Sequence, residues 1–133
     1  MIVRCIANTG ASLPAANIDT RRGYDRATEF PLTIGDSYAV FAFTIFLGTG
    51  WYYVIDDDRL DWPTWMPASL FDVVDGSIPA GWKLGYVRLS ADDQRPIVSF
   101  PEWADDPAFY ERLVDQDPVA VQVFDRRRRE IEA

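Results

Sequence analysis

The chain has 133 residues, 48% of them apolar and 14% aromatic, which is enough to bury one core and predicts a single domain over residues 1–133. Charged residues make up 26%, a globular proportion that excludes a disordered or fibrous chain. No histidine occurs, so Ser-His-Asp and Cys-His catalysis and imidazole metal ligation are excluded as well.

The net charge of −8 argues against a protein that neutralises nucleic-acid phosphates and favours a basic partner. The lone Cys5 has no second cysteine to bond and, without histidine, cannot build a zinc site, so a reducing, cytoplasmic setting is expected. No secretory signal is read at the N-terminus. The longest apolar run, residues 39–48, is far short of the ~20 residues that span a bilayer, and a soluble protein without membrane contact is predicted.

In chain order, residues 2–6 form a β-branched segment that predicts a strand, and the polar stretch 12–28, with Arg21-Arg22-Gly23, predicts a long loop. Gly35-Asp36 signals a turn, and the Val, Ile, Phe and Thr of residues 37–47 predict one long strand. Gly48-Thr49-Gly50 then supplies a hairpin that returns through residues 51–55. Both hairpin strands are apolar on both faces, so a second layer must cover the side away from the first core.

After an acidic loop at residues 56–61, the prolines at 63 and 67 favour extended backbone, with one tight helical turn at residues 68–70. Further strands are expected at residues 71–74 and 82–89, giving five or six in the first ninety residues. Asp106-Pro107 and Asp117-Pro118 each pair a capping carboxylate with a proline suited to a first helical position, so two helices are expected to cover the open sheet face.

Charge is uneven along the chain. Residues 56–117 hold fourteen of the acids against five bases, whereas residues 118–133 hold four arginines, 126–129, against three acids. The arginine run is expected near a helix C-terminus, paired with the acidic middle.

Asp56, Asp57, Asp58 and Asp61 invite comparison with a calcium loop, but counting from Asp56 the sixth position is Asp61, not glycine, and the twelfth is Pro67, not glutamate. A solvated loop is the simpler reading, and no metal, cofactor or catalytic residue is assigned. Carboxylate pairs beside tryptophans also suit glycoside hydrolysis, but no spacing selects one pair. The segment fits a partner-binding surface better: Asp56, Asp57, Asp58 and Asp61 would steer a basic protein while Trp62 and Trp65 anchor it. The competing reading of both tryptophans is that they close a barrel end.

The succession Leu32-x-x-Gly35-Asp36-x-Tyr38-x-Val40, Gly50-Trp51-Tyr52-Tyr53-Val54-Ile55-Asp56-Asp57 and Trp65-Met66-Pro67-Ala68-Ser69-Leu70-Phe71-Asp72-Val73-Val74-Asp75 resembles a small Src-homology-3-like barrel. That resemblance implies a mainly β, α+β fold: a barrel over residues 1–90, a helical turn at 67–70 before its last strand, and a helical extension over residues 91–133. The whole chain is also similar to small bacterial proteins associated with immunity genes of polymorphic toxin systems. Phe30-Pro31-Leu32-Thr33-Ile34-Gly35, Trp51-Tyr52-Tyr53 and Phe100-Pro101-Glu102-Trp103-Ala104-Asp105-Asp106-Pro107 carry that likeness. It implies a non-catalytic inhibitor that occludes a cognate basic toxin. Two alternatives stand beside it: a peptide-binding barrel with a groove of Tyr38, Trp51, Tyr53 or Trp65, and a carboxylate-dependent enzyme.

Overall fold

A computed structural model describes residues 1–18 and 24–133. The Arg21-Arg22-Gly23 part of the predicted loop lies outside the described residues. Among the described residues the fold is α+β, with eight strands in two antiparallel sheets and three α-helices. The strands are β1 (Ile2–Cys5), β2 (Ser37–Ala39), β3 (Ala42–Phe46), β4 (Thr49–Val54), β5 (Thr64–Pro67), β6 (Phe71–Asp75), β7 (Lys83–Arg88) and β8 (Gln94–Ser99). The helices are α1 (Pro101–Ala104), α2 (Phe109–Val114) and α3 (Pro118–Glu132). One sheet runs β2-β1-β6 and the other β5-β4-β3-β8-β7.

The single strand expected over residues 37–47 is divided between the sheets. Val40 and Phe41 lie at the break, and these consecutive side chains enter different cores, Val40 between the two sheets and Phe41 beneath the helices. The expected hairpin forms, but its turn is the two-residue loop Leu47-Gly48, both at positive φ, and Thr49 and Gly50 of the expected turn belong to β4. That pair of left-handed residues suits the right-handed twist of the flanking strands.

Covering of both faces is realised on β4, where Trp51, Tyr52, Tyr53 and Val54 are all buried. Tyr52 and Val54 join Val3, Val40, Met66, Leu70 and Phe71 in the core between the sheets. Tyr53 turns the other way, to Phe41, Ile97, Phe100, Trp103, Phe109, Leu113 and Phe124 beneath the helices.

Two elements were not foreseen. β8 enters the larger sheet between β3 and β7, so the segment after residue 90 contributes a central strand as well as helices. Its Pro96 has no N–H to donate, and the β3–β8 ladder ends at Thr44↔Ile97, one residue before it. The Thr44 hydroxyl donates instead to the Pro96 carbonyl at 2.7 Å. The other is α1, a single turn with Pro101 in its first turn, whose Ala104 carbonyl sits over Gly85 of β7. A Cβ at Gly85 would overlap that backbone, so only glycine lets the helix lie this close.

The two capping prolines behave differently. Asp117 caps α3 as predicted, accepting from the Ala120 N–H at 3.1 Å with Pro118 in the first turn. Asp106 instead closes a local turn by accepting from the Ala108 N–H, and α2 starts later, at Phe109. The end of α2 is closed by paired hydrogen bonds, Asp117 N–H to the Arg112 carbonyl and Gln116 N–H to the Leu113 carbonyl, with Gln116 left-handed. α3 follows at once and packs Phe124 against the Phe41 ring, centroids 5.3 Å apart.

Candidate functional site

The acidic loop joins β4 to β5, and its first half is built by its own carboxylates. Asp56 is buried; one oxygen accepts from the Asp58 N–H at 2.9 Å and the other from the Thr64 hydroxyl at 2.8 Å, fixing the loop to the start of β5. The Arg59 N–H closes the turn onto the Asp56 carbonyl, leaving Arg59 at positive φ. Asp57 accepts from the Thr33 hydroxyl at 2.6 Å and the Tyr38 hydroxyl at 2.7 Å, while its own N–H donates to the Pro31 carbonyl.

These bonds set the protonation states. The Thr33 and Tyr38 hydroxyls hold the Asp57 carboxyl below its usual value, because they stabilise the ionised form. Burial, with the neighbouring Asp57 charge, pushes the Tyr38 phenol up to about 12. At neutral pH the pair is therefore a phenol donating to a carboxylate.

The loop forms one wall of a cleft of about 360 Å³. β2 and the preceding turn supply Asp36, Ser37 and Tyr38, and the last turns of α3 supply Arg128 and Glu132. Five carboxylates, Asp36, Asp56, Asp57, Asp61 and Glu132, face two guanidinium groups, Arg59 and Arg128. Arg128 and Glu132 pair with each other at 3.0 Å, which leaves four carboxylates against Arg59 and a negative cleft.

The six predicted site residues are not equivalent. Asp56, Asp57 and Asp61 line the cleft, and Asp57, Asp58 and Asp61 are exposed. Trp62 and Trp65 do not join them in an open patch. Both are partly buried and pack against the helix-side core, Trp65 with its ring 4.8 Å from Trp51 and 5.1 Å from the Arg95 guanidinium. Because β5 pairs Trp65 with Tyr53, the Trp65 side chain must share the helix-covered side of the sheet. The competing reading places them at a barrel end; they pack instead in the core beneath the helices, not in the core between the sheets.

The aromatic groove of the peptide-binding alternative meets a similar fact: Trp51 and Tyr53 are each 2% exposed and Tyr38 is 9%. Among the described residues, no group of three or more cysteine, aspartate or glutamate side chains is arranged to hold a metal ion.

Asp36, Arg128 and Glu132 were missed. Asp36 read only as a turn residue, and α3 is separated from the loop by some sixty residues of sequence. Of the arginine run, Arg126 and Arg127 bind Glu102 of α1, at 2.5 and 2.7 Å. Burial pushes the Glu102 carboxyl up, but the two guanidinium groups outweigh it and hold the carboxyl below its usual value. The expected pairing with the acidic middle is thus made mainly through Glu102, with Arg127 and Arg128 also bound to Glu130 and Glu132 within α3. Compared with known proteins, the chain matches no family model, no curated protein sequence and no solved structure.

Proposed function

We propose that this chain is a non-catalytic protein-binding module, immunity-like, which seats a basic partner in the cleft between the acidic loop, β2 and the end of α3 and so occludes a cognate toxin. The observation that carries the reading is the imbalance of five carboxylates against two guanidinium groups around one cleft, in a chain of net charge −8. Such a surface attracts cationic groups over a distance of about a Debye length and accelerates encounter. Exposed Asp58 and Asp61 are its steering residues, while Asp56 and Asp57 hold the loop's shape.

A cytoplasmic setting belongs to the same proposal and is supported by the single buried thiol of Cys5. No helix among the described residues is long and apolar enough to cross a membrane. The Src-homology-3-like plan is supported by the meander β3-β4-β5, by β1 pairing with both β2 and β6, and by the 3-10 turn Ala68–Leu70 immediately before β6. On that plan β7, β8 and the helices are additions to the barrel.

The test is affinity capture from the native host at low and at high salt, followed by kinetics on the captured protein. A basic protein that is retained at low salt and weakened by high salt is expected. Replacing Asp58 and Asp61 with lysine is expected to lower its association rate by about tenfold at low salt, leaving dissociation nearly unchanged. Unaltered association, or capture of no basic protein, rejects the cleft as the interface.

A further inference from the structure

The five-stranded sheet is covered on one side by helices and on the other over β4 and β5 only. There Tyr52, Val54 and Met66 lie beneath the smaller sheet, but β3, β8 and β7 extend past it. Ile45, Leu84 and Tyr86 are 46%, 68% and 44% exposed on this open side, with Phe43, Pro96 and Val98 half-buried between them. The register sets Leu84 beside Val98 and Val98 beside Phe43, so the apolar surface is continuous across three strands. Ile78, 61% exposed, stands above it at the wall of an apolar cleft of about 360 Å³. A smaller hollow of about 90 Å³ lies beside it, between Ile45, Leu84 and Pro96.

We propose that a second copy of the chain covers this face, the two packing face to face about a two-fold axis. Charge selects the occupant. Two molecules of net charge −8 repel wherever their acids meet, yet none of the strand residues directed to this side is acidic. Of those strand residues Arg88 is the charged one, and its guanidinium lies over the Tyr86 ring at 4.5 Å. The strands of two such anionic chains can therefore meet on this side without acid facing acid.

Area and shape point the same way. Three strands of about six residues span roughly 14 by 20 Å. With the relief of the side chains and the ridge at Ile78, that is on the order of 600 Å² of accessible surface, at the top of the range for a monomer's largest apolar patch and near the ~800 Å² per partner of a stable interface. A two-fold contact requires one surface to be its own complement, and here a projecting isoleucine and an apolar hollow lie on the same face. β7 adds an unpaired sheet edge beside them.

Sedimentation velocity on the full chain, across a wide concentration range, tests the proposal. The expected result is a shift from the 15.1 kDa chain mass to twice that value as concentration rises, stronger at high salt because screening removes the repulsion and spares apolar burial. Ile45→Glu with Leu84→Glu should raise the dimer dissociation constant about 100-fold or more, with an unchanged circular dichroism melt since both side chains are exposed. Leu84→Gln alone supplies a milder variant should the double change perturb folding, and Asp58→Lys with Asp61→Lys should leave the dimer intact. A monomer mass at every concentration and salt, or a dimer that survives the two glutamates, overturns the proposal.

Discussion

The two sides of the five-stranded sheet differ in what their exposed strands cost the molecule. On the helix side, α1, α2 and α3 cover β3, β4 and β8 so completely that Ile97, Phe100, Leu113 and Phe124 are 0 or 1% exposed. On the other side β4 is covered but β3 is not, with Ile45 46% exposed, and Leu84 of β7 remains 68% exposed. One side holds the fold together, while the other leaves apolar surface free for association. Coverage is thus a property of each strand's neighbours, since β3 and β4 are adjacent and similar in composition but only β4 is buried on both faces.

The strongest challenge to this contrast comes from truncating what the helix side buries. Phe124→Ala should destabilise by about 3–5 kcal/mol in a urea melt, since the ring is fully buried against Phe41. Trp51→Ala should fall in the same range, because the residue is 2% exposed and its ring packs 4.8 Å from that of Trp65. A loss below about 1 kcal/mol at Phe124 would mean that α3 is not integral to the fold.

A smaller effect probes how α1 rests on β7. Gly85→Ala places a methyl group into the Ala104 carbonyl and should cost about 1–3 kcal/mol, measured as a shift in denaturant midpoint. The Lys83–Asp105 ion pair across the same contact is half exposed, so Lys83→Ala should change stability far less.

Tyr38→Phe removes the donor to Asp57 and should cost about 1 kcal/mol at neutral pH. The Asp57 carboxyl has a folded pKa below its ordinary 3.8, so its contribution is complete above that value and is lost as pH falls through the lower, folded one. The difference between Tyr38→Phe and the parent should accordingly narrow in melts taken across that acidic window. Smallest of all, Leu84→Ala should stay within about 0.5 kcal/mol in dilute solution, where the open face is solvated.

Local chemistry made some elements legible. The β3–β4 hairpin follows from glycine beside two apolar runs, and the start of α3 from Asp117-Pro118, because both signals act within a few residues. β8 was obscured by Arg95-Pro96, a pair that argues against a central strand unless one of its two ladders stops short of the proline, as the β3–β8 ladder does here while the β7–β8 ladder continues. Asp106 misled in the opposite sense: it makes a capping-type hydrogen bond two residues on, yet that bond closes a turn before α2 begins. In the candidate site the carboxylates could be read from sequence, whereas the direction of Trp62 and Trp65 depended on β5 joining β4. Asp36 and Glu132 entered the cleft only through packing of distant segments, which no local pattern encodes.

The place of β8 between β3 and β7 also has a consequence for the order of synthesis. β3, β4 and β5 can zip together as soon as residue 67 is available, but the far edge of β3 acquires its partner only when residues 94–99 arrive. At roughly 5–20 residues per second, the nascent meander waits for seconds with an open hydrogen-bonding edge beside Phe43 and Ile45. β8 is therefore the late-arriving clasp of the larger sheet, and its pairing with β3, like that of β1 with β6, joins residues more than fifty positions apart and is slow to close.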